Sequence, residues 1–209
     1  MIDKNRTVGS PVPFDHTGQF FDTDESCAYH VAAFLAEGYA AGQPLLVVAR
    51  PIHWALVVEH LEARRVAVRE AIATGRIVVK DAADTLRQIS RDGVPDARLF
   101  AAAIGDFVIE LASRTGARVR AYGEMVDLLA QRGDLAEAIA LEELWNSLGE
   151  RAAMSLLCGY SSAHFLAGGT HRWLLEICKA HTHVQGHVHD PLASWVLTAA
   201  HNGPSSLRH

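Results

Sequence analysis

Four short apolar runs, each set between segments of helical spacing, restrict this chain to a layered α/β architecture. Residues 44–49 (Pro-Leu-Leu-Val-Val-Ala), 76–80, 117–122 and 154–160 read as strands. The run at 44–49 lacks polar alternation, as expected of a parallel strand covered on both faces. Thr23 or Asp24 can cap a helix that carries Ala28, Val31, Ala32, Leu35 and Tyr39 along one side and stops at Gly42. Pro51 opens a second helix, because its fixed φ suits the first helical position. Further helices are expected after Pro95, over residues 135–148 and from about 170 to 181. Strands alternating with helices at these lengths imply parallel crossovers, and hence a mainly parallel open sheet with helices on both faces, a three-layer sandwich. At 209 residues the chain fits one domain.

In open parallel sheets ligands bind beyond the carboxyl ends of the strands. The residues expected there are Arg50 and His53 after the run at 44–49, Asp81 after the second, Tyr122 and Glu124 after the third, and Cys158 and Tyr160 in the fourth. They combine hydrogen-bonding groups with apolar surroundings, the usual plan of a small-molecule site. The turn Ala49-Arg-Pro-Ile-His-Trp54 has no glycine-rich phosphate loop, no Gly-Lys pair occurs in the chain, and Pro51 removes an amide that a phosphate cradle would use.

An ordered set of motifs resembles one known family. It comprises His16-Thr-Gly-Gln-Phe-Phe-Asp-Thr-Asp-Glu25, Phe34-Leu-Ala-Glu-Gly38, Gly42 with Leu-Leu-Val-Val-Ala49, Gly75-Arg-Ile-Val-Val, Arg120-Ala-Tyr-Gly-Glu-Met125, Leu141-Glu-Glu-Leu-Trp-Asn146 and Leu156-Leu-Cys-Gly-Tyr160. Together these resemble the MEDS domain, the sensory domain of DcmR-type regulators. The resemblance spans residues 16–183, leaving an N-terminal arm (1–15) and a C-terminal tail (184–209), within which a docked segment is expected around Trp195. It implies a RecA-like or KaiC-like sheet without a phosphate loop, and a role in sensing simple hydrocarbon derivatives. Many members carry an output module on the same chain; none is expected within these 209 residues, so a signalling partner protein or homo-oligomerisation is expected.

On this reading the ligand-binding residues are His16, Arg50, His53, Tyr122, Glu124, Cys158 and Tyr160. Each also has a structural reading: His16 as a satisfied core imidazole, Cys158 as an inert buried thiol, Glu124 as a hydrogen-bonding carboxylate. Arg120 is expected to pair with a carboxylate, and Glu142 and Glu143 to form a solvated helix face. The histidines from His181 to His189 have metal-like spacing, but a metal site needs fixed geometry and groups that orient its ligands; His181 alone matches the family ending, so those downstream of it are read as solvated. No metal, cofactor or catalysis is expected. The alternative is a divergent RecA-like nucleotide-binding enzyme with an altered phosphate loop.

Charge and composition narrow the partners. A net charge of −5, three lysines and dispersed arginines offer no phosphate-tracking surface, so direct nucleic-acid binding is not expected. The apolar runs fall short of the ~20 residues that span a bilayer, and the N-terminal residues lack the apolar core of a signal peptide. Three cysteines without CxxC spacing suit a reducing compartment, so the expected location is cytoplasmic.

Overall fold

The computed structural model describes residues 14–165 and 171–186. Its strands are β1 (Asp15–Phe21), β2 (Leu45–Ala49), β3 (Ile77–Asp81), the two-residue pair β4 (Ser90–Arg91) and β5 (Val94–Pro95), β6 (Val119–Gly123), β7 (Met154–Ser161) and β8 (His183–Gln185). The helices are α1 (Asp24–Ala40), α2 (Pro51–Ala63), α3 (Val68–Ala73), α4 (Ala82–Ile89), α5 (Ala97–Phe100), α6 (Asp106–Thr115), α7 (Met125–Arg132), α8 (Leu135–Gly149) and α9 (His171–Ala180). A π-helical turn over Ala101–Gly105 joins α5 to α6, and a 3₁₀ turn over Ser162–Phe165 follows β7. Among the described residues, no helix is long and apolar enough to cross a membrane.

Six strands form one parallel sheet in the order β3-β2-β6-β7-β1-β8, with β4 and β5 pairing separately. The pleat sends alternate residues to opposite faces. Leu45, Val47, Tyr122 and Leu157 pack under α1, α2 and α3 through Val31, Leu35, Val57, Leu61 and Ala71. Leu46, Val48, Ala121, Leu156, Cys158 and Tyr160 pack under the later helices through Ile104, Val108, Leu129, Leu141, Trp145 and Ile177. The result is the three-layer α/β sandwich that strand and helix alternation implies.

Local chemistry accounts for the element starts. Thr23 caps α1 by accepting from the Ser26 amide at 3.2 Å, and Asp81 caps α4 by accepting from the Asp84 amide at 2.8 Å. Pro51 stands at the start of α2. The cap residue Arg50 makes no side-chain cap bond, because its side chain is engaged elsewhere.

One correction concerns the first strand. It is β1, ahead of the run at 44–49, and it is buried from His16 onward. His16, Thr17 and Gln19 interrupt its apolar character, which hides it from a reading based on apolar runs. Inside the sheet those polar groups find partners: the Gln19 side-chain amide, for example, donates to the Phe20 carbonyl at 2.8 Å. The docked segment expected around Trp195 lies outside the described residues.

The winding places a site. Neighbours β2 and β6 lead into helices on opposite faces, α2 on one and α7 on the other. Their carboxyl ends therefore bound a crevice, the topological switch point where open α/β sheets accept ligands.

Candidate functional site

Two groups of buried polar side chains stand out, one at the crevice and one beneath the sheet. At the crevice Glu124 follows β6 and is fully buried. It accepts from the Arg50 backbone amide at 2.8 Å, from Arg50 Nε at 2.8 Å and from His53 Nδ1 at 2.6 Å. His53 Nε2 lies 3.3 Å from Asp24 at the start of α1. Arg50 also donates to Asp127 of α7, whose second oxygen accepts from the Ser161 amide at 2.7 Å and lies 3.2 Å from His164 Nε2. The ends of β2, β6 and β7 are thus tied through a single guanidinium, whose side chain is 22% exposed between two buried carboxylates.

Electrostatics follow from these contacts. Burial opposes the Arg50 charge, but Glu124 and Asp127 outweigh it and raise its pKa. The hydrogen bond to Glu124 raises the pKa of His53 against the effect of burial. Burial alone would raise Asp127, yet His164, the Ser161 amide and Arg50 hold it below its ordinary value.

The second group lies under β1 and β7. Glu142 of α8 is fully buried, with the His16 Nε2 atom 3.2 Å from Oε2 and the His181 Nε2 atom 3.1 Å from Oε1. Cys158 donates to Glu142 at 3.3 Å, the Tyr160 hydroxyl also donates to it, and His16 Nε2 lies 3.4 Å from the Cys158 sulfur. Burial works against the Glu142 charge, but the two histidines hold its pKa well below the carboxylate range. Burial and the neighbouring carboxylate push the Cys158 thiol and the Tyr160 phenol well up. Gly18 makes room for this group: a Cβ there would stand 3.1 Å from the His181 ring.

The seven residues expected to bind ligand divide accordingly. Arg50, His53 and Glu124 meet at the crevice. His16, Cys158 and Tyr160 meet at Glu142 instead, so the residues expected together at the strand ends separate into two sets of partners. Tyr122 joins neither; it is buried on the α1 face with its hydroxyl 3.4 Å from the Cys27 sulfur. A cleft of ≈ 280 Å³ opens elsewhere, between α1 and the β1–β8 edge, and includes Gln19, Phe34 and Arg120. Arg120 pairs with Glu37 at 3.0 Å as expected.

Glu142 requires a correction, since it is buried and only Glu143 faces solvent. Its position was legible: Ala138, Leu141, Trp145 and Leu148 mark the inward face of α8, and residue 142 lies on that stripe. Asp127 could have been found one helical turn after Glu124. Asn146, which supports His16, and His164 carried no such signal. The histidines from 181 to 189 do not act as one cluster: His181 points inward, the His183 side chain is 68% exposed, and His187 and His189 lie outside the described residues.

The earlier strand also moves the question of phosphate binding. The first strand-to-helix turn is Phe21-Asp-Thr-Asp-Glu25, which has no glycine and three carboxylates where a phosphate cradle needs free amides and positive charge. Among curated proteins, none matches the chain. The model of one family, described as the MEthanogen/methylotroph, DcmR Sensory domain, matches residues 15–182, most of the chain and all but one of the strands described above in full, and so the chain belongs to the MEDS sensory-domain family.

Proposed function

We propose that this sensory domain binds a small organic molecule bearing a hydrogen-bond acceptor at the β2–β6 crevice and passes the event to a partner protein. The observation that carries this reading is the position of Arg50, a partly exposed cation that joins Glu124 to Asp127 across the switch point. An acceptor on the ligand competes for the guanidinium. Asp127 then loosens, and with it the link to Ser161 and His164 at the start of the 3₁₀ turn. Ligand occupancy is thereby converted into a change at the carboxyl end of β7, where a partner can read it. Simple hydrocarbon derivatives such as short carboxylic acids, alcohols and halogenated alkanes have the size and acceptor chemistry for such a crevice.

The test is a thermal-shift screen of those compound classes against the wild-type chain, Arg50→Met and Glu124→Gln. A ligand that prefers the folded state raises the melting temperature by mass action. The reading expects a shift in the wild type that shrinks in both variants. A shift of equal size in all three proteins places the ligand elsewhere.

A further inference from the structure

The group around Glu142 leaves one buried ring nitrogen outside its hydrogen bonds. His181 donates from Nδ1 to the Ile177 carbonyl at 2.6 Å, and since a carbonyl only accepts, the proton of a neutral ring resides on Nδ1. His16 is oriented the same way. Its Nδ1 lies 2.8 Å from Asn146 Oδ1, and the Asn146 amide nitrogen donates to the Ala180 carbonyl at 2.9 Å, which fixes Oδ1 as an acceptor. When neutral, both rings therefore turn a bare Nε2 toward Glu142 and Cys158. The His181 Nε2 atom is buried and lacks a hydrogen-bond partner, although Glu142 Oε1 is only 3.1 Å away.

We propose that His16 Nε2, Cys158 Sγ, Glu142 and His181 Nε2 form a closed four-coordinate site for a divalent transition-metal ion, zinc foremost. One ligand atom from each lies within 4.8 Å of all the others, and all four residues are buried. The measured separations are 3.4 Å for His16 Nε2 to sulfur, 3.2 Å for His16 Nε2 to Glu142 Oε2 and 3.3 Å for sulfur to Glu142 Oε2. Metal–ligand bonds of roughly 2.0–2.3 Å in a tetrahedron give edges of about 3.3–3.6 Å. Imidazole, thiolate and carboxylate together suit zinc better than magnesium or calcium.

Charge points the same way. A divalent ion with one thiolate and one carboxylate leaves the buried site neutral, and it would take the place of the proton that Glu142 otherwise favours on His181. The surrounding contacts hold the four ligands in place: Ile177 and Asn146 orient the rings, and Tyr160 donates to the carboxylate. With four protein ligands the site has no open position, so the ion acts as a clamp joining β1, β7, α8 and the segment after α9.

The test uses the full chain without a polyhistidine tag. Elemental analysis after gel filtration in a weak chelator is expected to find about one zinc per chain. Cobalt(II) exchanged into the chain should show tetrahedral ligand-field bands and a sulfur-to-cobalt charge-transfer band. Both should persist in Cys27→Ser/Cys178→Ser, which leaves Cys158 as the sole thiol, and in His183→Ala/His187→Ala/His189→Ala. Cys158→Ser should lose the charge-transfer band with its far-UV circular dichroism retained. The proposal is overturned if the folded wild type takes up no ion, if the sole-thiol variant lacks the charge-transfer band, or if binding disappears with the three downstream histidines, which would identify an adventitious ion only.

Discussion

Replacing Glu124 with methionine should cost about 3 kcal/mol of folding stability. The substitution keeps much of the side-chain volume and removes three accepted hydrogen bonds, two from Arg50 and one from His53. Charge-assisted bonds contribute ~1.5–3 kcal/mol each, but their sum overstates the loss. Arg50 is partly exposed and keeps Asp127, so its guanidinium rehydrates on one side and remains paired on the other. What stays unmet is the Arg50 amide and one edge of the His53 ring. That places the effect at the lower end of the ~3–5 kcal/mol typical of breaking a buried ion pair. For a domain of this size it corresponds to a fall in melting temperature of about 6–12 °C. Urea denaturation followed by circular dichroism gives the free energy directly, with an unchanged m-value showing that the transition itself is preserved. Arg50→Met and the double variant complete a cycle, and the double variant should be more stable than additivity requires by at least ~1 kcal/mol. A loss below about 1 kcal/mol for Glu124→Met, or strict additivity, would show that the crevice network is not a coupled unit.

Gly18→Ala should destabilise the chain by about 1–3 kcal/mol, because the new methyl presses on a packed His181 ring; equilibrium denaturation checks this. Gly38→Ala should cost at least as much, since its Cβ would stand 2.5 Å from Arg120 Cδ and 3.0 Å from Leu45 Cδ2, and Arg120 is held in place by Phe34, Glu37 and Gln43; the same assay compares the two. Trp145→Ala, at a fully buried ring packed edge-on to Phe100 with centroids 5.0 Å apart, should cost about 3–5 kcal/mol by the same measurement. The raised pKa of His53 means that the folded state binds its proton more tightly than the unfolded state does. The stability this contributes is full below the unfolded value of about 6.5 and is lost as pH rises through the folded value, so the decline in stability above neutrality should flatten in His53→Gln.

The central strands were legible because apolar, β-branched runs have few other ways to be buried, and Leu45–Ala49 and Met154–Ser161 lie within a residue of the boundaries read from the sequence. β1 was not legible as a strand because His16, Thr17 and Gln19 look solvated until the later strands provide their surroundings. The crevice was partly legible: Arg50, His53 and Glu124 each follow a strand, and strand ends converge by topology alone. The Glu142 group was divided among four separated segments. Its members stand out singly in the sequence, but nothing local shows that His16 and Cys158 meet, since that depends on the register setting Gly18 opposite Cys158.

The place of β1 between β7 and β8 also governs the order of events during synthesis. This strand leaves the ribosome early, yet its hydrogen-bonding partners are the last two strands of the sheet to be made, with His16 bonded to Thr182 across 166 residues. Until then its unpaired edges must wait, while β2 and β3, joined locally through α2 and α3, can already associate. Long-range pairing of this kind slows folding and prolongs exposure of strand edges. Truncation or substitution near residues 181–185 should therefore be felt first at the opposite end of the chain, as a loss of hydrogen-exchange protection in β1.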